Sequence, residues 1–342
     1  MCAVSQFPPE TRYVDVGGAQ VAYQVIGDGA TDLVAAAALG GNIDLIWDSE
    51  PAAGFARSMA SISRLIMFDR RGTGVSDPIG RGTPPTWEDW AEDFGAVLDA
   101  VGSGRAAVMA SEDTGPMGIL FAATHPDRVS HLVLNNTTAR FLKDDDYPFG
   151  ASPADVDALT AFIEQSWGTP EFTRAVFPSR ADDEEFVCLS ARMLRASASP
   201  RSAAAQLDYS LRRLDVREAL PLVQAPTLVI HSKDYLFVPV AHGRYLAEHI
   251  PRAKLVEVPG ADAYPYRELF DEIAEFLTGE RPAAPIDRIL ATVLFTDIVG
   301  STAHAASMGD QRWHSTLDAH DRAVRDQLRR FRGKEINTTG DG

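Results

Sequence analysis

Between residue 12 and about residue 135, short apolar runs that end in turn residues alternate with stretches of helical periodicity. The runs DLVAAAALG, SRLIMFDRRG, AAVMAS and VSHLVLNN have the continuous apolar character of strands covered on both faces, which have no solvent side to keep polar. Between them, TWEDWAEDFGAVLDAVG places its apolar residues at helical spacing and ends at Gly102. Strands and helices that alternate in this way bury their apolar faces together as an α/β fold with a mostly parallel sheet. At the start, YVDVGGAQVAYQVIG alternates around a Gly-Gly pair and predicts a hairpin.

From residue 140 to about 222 the strand signals stop. SPADVDALTAFIEQSWG, DDEEFVCLSARMLRAS and SAAAQLDYSLRRLD read as amphipathic helices, and a helical insertion after the sixth strand predicts a lid. APTLVIHSKD and AKLVEVPG resume the sheet, and the helix YRELFDEIAEFLTG closes the region. A domain over 1–278 is therefore expected. GERPAAPIDR is rich in proline and polar residues, which predicts a linker over 279–287 and a second region over 288–342. At 342 residues the chain suits one large domain and part of another.

The net charge of −16 argues against a nucleic-acid groove or an anionic membrane surface, because no local basic patch offsets it. Cys2 and Cys188 form no disulfide framework. The start, MCAVSQFPPETRYV, has neither a basic nor an apolar signal segment, and no apolar stretch is long enough to span a bilayer. A cytoplasmic location is the expectation.

The stretch RAAVMASEDTGPMGILFAATHPDRVSHLVL reads as strand, tight turn and helix. Together with FDRRGTGVSDP, FAATHPDRV and VPVAHGRYLAEHIPRAKLVEVPGAD, it resembles the α/β-hydrolase family over residues 10 to 278. The resemblance implies a nucleophile on a strained strand-to-helix turn, an acid after a later strand and a histidine after the last one. Small residues must flank the nucleophile two positions away on each side. Around Ser111 those positions hold Met109 and Asp113; around Glu112 they hold Ala110 and Thr114. The nucleophile slot is therefore expected at Glu112, with Ser111 pointing elsewhere. Counting back from Pro239 puts Tyr235 in the acid slot, with Asp234 one residue away as the alternative. Ala263 stands where the histidine belongs. His125, His131 and His231 are expected to be structural or surface residues. Without an imidazole no serine-type relay is expected. That leaves a degenerate sensing domain, which binds a small apolar or acyl ligand in the lid cleft, as the leading reading. A hydrolase using Glu112 or Ser111 with another base is the alternative.

In the second region, ATVLFTDIVGST and KEINTTGDG are similar to the start of class III adenylate and guanylate cyclases. The resemblance implies an α+β ferredoxin-like domain that makes cyclic AMP and pyrophosphate from ATP and pairs as a homodimer. Asp297, Asp341 and the backbone of Ile298 would hold Mg²⁺ or Mn²⁺. Gly300, Ser301 and Thr302 would bind phosphate at a helix start. The family's purine-reading residues lie beyond such a segment. The expectation is thus an incomplete cyclase domain, inactive by itself, behind a hydrolase-like regulatory domain.

Overall fold

Gly17 and Gly18 have φ values of 63° and 88°, the left-handed pair required by a two-residue hairpin turn. They join β1 (Arg12–Val16) to β2 (Ala19–Ile26) with Val16 opposite Ala19. In the computed structural model, which describes residues 8–79, 85–282 and 299–330, the chain divides into two units, Met1–Ala283 and Ala284–Gly342.

In the first unit the hairpin is the antiparallel margin of an eight-stranded sheet, in the order β1-β2-β4-β3-β5-β6-β7-β8. The further strands are β3 (Asp32–Ala37), β4 (Arg64–Asp69), β5 (Ala106–Ser111), β6 (Val129–Asn135), β7 (Thr227–Ser232) and β8 (Ala253–Val258). From β4 onward every pairing is parallel. Each of the four apolar runs read from the sequence contains one of these strands.

Helices cover both faces. On one side lie α1 (Glu50–Ile62) and, at the end of the unit, α9 (Tyr266–Thr278). They bury Met59, Leu269 and Ile273 against the sheet. On the other side α2 (Trp87–Ala100) and α3 (Gly115–Thr124) bury Trp90, Phe94, Met117 and Phe121. The Phe68 ring of β4 meets Phe94 edge-on, 5.0 Å between centroids. Burying a side chain of this size stabilises the fold by about 1.5–3 kcal/mol. A capping box between Thr86 and Asp89 starts α2.

The lid carries α4 (Pro153–Ser166), α5 (Pro170–Val176), α6 (Glu184–Ser197) and α7 (Pro200–Arg213). Its first helix coincides with the stretch SPADVDALTAFIEQSWG, with Ser152 as its N-cap, and the lid is not helical from its start. Residues 140–151 form isolated bridges instead, Arg140 with Asp215 and Leu142 with Ala151. Arg217 fixes this segment by pairing with Asp144 at 3.1 Å and Asp215 at 2.9 Å. Beyond the lid, α8 (Val240–His249) links β7 to β8.

In the second unit the described residues form α10 (Ser301–Met308) and α11 (Asp310–Arg330). Gly300, with φ of 75°, precedes Ser301 and Thr302 in the first turn of α10, which buries no residue. Trp313, Leu317, His320, Val324 and Leu328 share one half-exposed stripe of α11. No strand occurs among the described residues of this unit, so the expected ferredoxin-like domain is not shown. Asp297, Ile298 and Asp341 lie outside the described residues.

Candidate active site

The turn after β5 is held in a conformation that few side chains adopt. Glu112 has φ of 49°, a left-handed value that costs a non-glycine residue on the order of 1–3 kcal/mol. Neighbours fix it in place. Thr137 Oγ1 donates to the Glu112 carbonyl at 2.6 Å. Thr114 Oγ1 donates to the Ser111 carbonyl at 2.8 Å and accepts from the Ser111 N–H at 2.9 Å. At Gly115 a Cβ would overlap the Thr137 side chain, so the helix start packs directly against the loop after β6.

Glu112 therefore projects from the elbow into the cleft under the lid. The Tyr235 hydroxyl donates to Glu112 Oε1. Burial raises the Glu112 carboxyl to a pKa of about 7; the Tyr235 and Tyr264 hydrogen bonds oppose the rise, and the neighbouring Asp113 charge adds to it. Tyr235 is itself pushed well above the ordinary tyrosine range, by burial and then by Glu112, and stays a neutral donor.

The other expected positions separate clearly. Tyr235 is buried against the elbow, whereas Asp234 is exposed and its N–H donates to the Gly260 carbonyl at 3.0 Å. Ala263 is fully buried, and its carbonyl accepts from Asn135 Nδ2 at 3.1 Å and Asn136 Nδ2 at 2.7 Å. Ser111 does not point away from the cleft as expected: it lines the floor, and its hydroxyl meets that of Tyr264. Of the histidines, His125 stacks on Phe121, His131 meets Phe276 edge-on and His231 Nε2 bonds to the Val238 carbonyl at 2.7 Å. None of the three lines the cleft.

Two groups were not visible to sequence reasoning. Asp113 Oδ1 accepts from the Leu39 N–H at 2.9 Å, and Oδ2 accepts from Arg70 Nη2 at 2.7 Å and Nε at 3.1 Å. Beside the cleft residue Thr138, buried His242 Nδ1 lies 2.8 Å from both Thr138 Oγ1 and Tyr147 Oη. Burial lowers the His242 pKa to about 4, so it is neutral at physiological pH.

The cleft has a volume of about 310 Å³. Its walls include Trp87, Trp167, Phe172, Phe237, Tyr264 and Tyr266, and no Lys, Arg or His is among the described residues that line it. Among the described residues no cluster of His, Cys, Asp and Glu could hold a metal ion, and no helix is long and apolar enough to cross a membrane.

Comparison with known proteins bears on the fold and on the family. RutD of Azorhizobium caulinodans, named as a carbamate hydrolase, is 29% identical over 270 residues, covering 74% of this chain and 91% of its own. The pimeloyl-acyl-carrier-protein methyl ester esterase of Nitrosomonas europaea is 25% identical over 227 residues, 65% of this chain and 84% of its own. The crystal structure of the enol-lactonase from Burkholderia xenovorans superposes with a TM-score of 0.64 at 23% identity, covering 78% of this chain and all of that one.

These findings overturn the reading of the chain as an adenylate cyclase fragment with a degenerate hydrolase-like sensor. The relatives are esterases and hydrolases, and nothing in the comparisons supports a fused cyclase domain, its ATP site or its homodimer. The physical reason lies in the two regions. The cyclase resemblance rested on two short motifs, whereas the hydrolase resemblance spans a region that holds its elbow with a packed core. Where the imidazole is absent, the cleft still holds a titratable carboxyl, Glu112, which burial raises to a pKa of about 7. The profile of the alpha/beta hydrolase fold family matches residues 38–266, two thirds of the chain, and the chain belongs to that family.

Proposed function

We propose that the first unit hydrolyses an uncharged, largely apolar ester or lactone, with Glu112 as its acid–base group. The observation that carries this reading is the Glu112 carboxyl, held at the elbow, facing the cleft, with a pKa of about 7. A group that titrates near the working pH is present in both of its forms, which suits it to take and return one proton in a cycle.

The ionised carboxylate accepts a proton from a water molecule as the water oxygen bonds to the substrate carbonyl carbon. The tetrahedral intermediate then collapses, the bond to the leaving oxygen breaks, and that oxygen takes the proton back from Glu112. This route needs no histidine and no covalent enzyme intermediate. An anionic substrate is disfavoured, because the described residues of the walls supply no cation and Glu112 supplies a negative charge. The esterase and hydrolase relatives support the reaction class.

Hydrolysis of 4-nitrophenyl butyrate and of an aryl lactone by the purified chain tests the proposal. General-base catalysis contributes about 10²–10⁴-fold, so Glu112→Gln is expected to lower kcat by at least about a hundredfold. A Glu112→Gln variant that turns over as fast as the wild type would refute the assignment.

A further inference from the structure

Resting on the hydrolase reading, a second inference concerns which donors receive the substrate's carbonyl oxygen. In this fold the developing oxyanion is met by an N–H from the loop after β3 and by the N–H of the residue after the nucleophile. Here the loop after β3 begins Ala38-Leu39-Gly40-Gly41 and lines the cleft. The residue after the elbow position is Asp113, whose own side chain takes the Leu39 N–H at 2.9 Å. That N–H, which in this fold would be free to meet a carbonyl oxygen, already bonds a carboxylate.

The carboxylate is locked in place. Arg70 is 2% exposed, grips Asp113 Oδ2 through two nitrogens, and packs 5.0 Å over the Trp90 ring. Its third nitrogen donates to the Arg71 carbonyl at 3.0 Å and to Gln206 Oε1 of α7 at 3.1 Å. Gln206 Nε2 in turn donates to the Gly72 carbonyl at 2.8 Å. A buried charge-assisted pair with every guanidinium nitrogen engaged is costly to break.

We propose that the Leu39 N–H and the Arg70 guanidinium form a carboxylate-binding pocket which the chain fills with its own Asp113, and that Asp113 thereby masks a carbonyl-activating amide. Asp113 is thus a specificity-determining residue. With the amide masked, carbonyl activation in this cleft falls to the remaining oxyanion donor of the fold, the Asp113 N–H, and poorly activated esters are turned over slowly.

The test removes the internal anion and returns it from solution. Asp113→Ala opens the amide, and Asp113→Ala/Arg70→Met opens it without leaving a lone buried guanidinium, so that one variant folds if the other does not. One oxyanion donor is worth about 10²–10³-fold in kcat. Both variants are expected to raise kcat on 4-nitrophenyl butyrate by about tenfold or more, since part of that gain is lost to looser packing. Sodium acetate, but not sodium chloride, is expected to raise the thermal midpoint of Asp113→Ala and to cancel its gain in kcat, and to do neither in the double variant.

Variants that are no faster than the wild type, in a background where Glu112→Gln abolishes turnover, overturn the masking and leave the hydrolase reading standing. If no form of the chain turns over any ester, the hydrolase reading fails, and the thermal arm alone decides the pocket. Acetate that stabilises Asp113→Ala no more than it stabilises the wild type refutes it.

Discussion

The elbow after β5 and the loop after β8 are the two places where a serine hydrolase keeps its nucleophile and its histidine, and they diverge in different ways. At the elbow the demanding backbone is kept: Glu112 stays at φ 49° and Gly115 stays close against Thr137. Only the side chain differs from that of a serine hydrolase, a carboxyl standing in place of a hydroxyl. In the loop after β8 the residue itself has been emptied. Ala263 is fully buried, and its carbonyl is tied to Asn135 and Asn136. A strained backbone with a titrating side chain is what an active position looks like; a relaxed, packed alanine is not. The difference teaches where the proposed hydrolysis would take its proton-transfer group: from the first place and not from the second.

The largest expected effect tests that transfer directly. If the ionised Glu112 is the base, kcat/KM on a neutral ester should rise through about pH 7 and fall about tenfold for each unit below it. Between pH 8 and pH 5 the loss should approach a hundredfold. A profile with its inflection near pH 4, or none at all, would place the chemistry elsewhere.

Stability should carry the same signature with the opposite sense. The Glu112 carboxyl is raised from 4.5 to about 7 on folding, so the folded chain holds a proton that the unfolded chain has lost. Its contribution is fully present below pH 4.5 and disappears as pH rises to about 7, with a slope of at most about 1.4 kcal/mol per pH unit. Buried Asp69 and Asp93, raised to about 7 and about 6, contribute in the same window. The comparison must therefore be a difference: urea unfolding of Glu112→Gln against the wild type, at pH 5 and at pH 8. Relative to the wild type, the variant should gain stability at pH 8, and equal offsets at both values would show that Glu112 keeps an ordinary pKa in the fold.

Much of this architecture was legible in the chain, for reasons that lie in particular residues. The parallel strands announce themselves because a strand covered on both sides must be apolar along its length, as Ala106–Ala110 of β5 is. Gly17-Gly18 gives the hairpin, and the small residues flanking Glu112 mark the elbow. Asp113 was legible only as a charge beside a helix start, since its partners Leu39 and Arg70 are 74 and 43 positions away. The network of His242, Tyr147 and Thr138 was hidden in the same way, by separations of 95 and 104 residues. The cyclase motifs misled because a short match carries no information about whether a core exists to hold it; α10 buries nothing.

A smaller effect probes the emptied position. Ala263 has no exposed surface and packs with Tyr235 and Val238, so Ala263→His should overpack the site and cost about 1–3 kcal/mol. It should also fail to create an active serine at position 111, because Ser111 lies on the last residue of β5 rather than at the strained turn. Treatment with a fluorophosphonate followed by mass spectrometry is expected to leave Ala263→His unlabelled. Labelling of Ser111 would show that the loop after β8 still addresses a serine and would undo the contrast drawn between the two loops.

The smallest expected effect separates the base from the residue that tunes it. Tyr235 donates to Glu112 Oε1 and so favours the charged carboxylate, against the burial that disfavours it. Tyr235→Phe keeps the ring and removes only that donor. The Glu112 pKa should then climb further above 7, which moves the inflection of kcat/KM to higher pH and lowers the rate at pH 7 by several-fold. At a pH well above the new inflection the variant should recover, because the base is again ionised. A rate loss that persists equally at every pH would instead mean that the Tyr235 hydroxyl touches the substrate. The acid slot would then take a direct part in the reaction, beside the elbow whose carboxyl it holds.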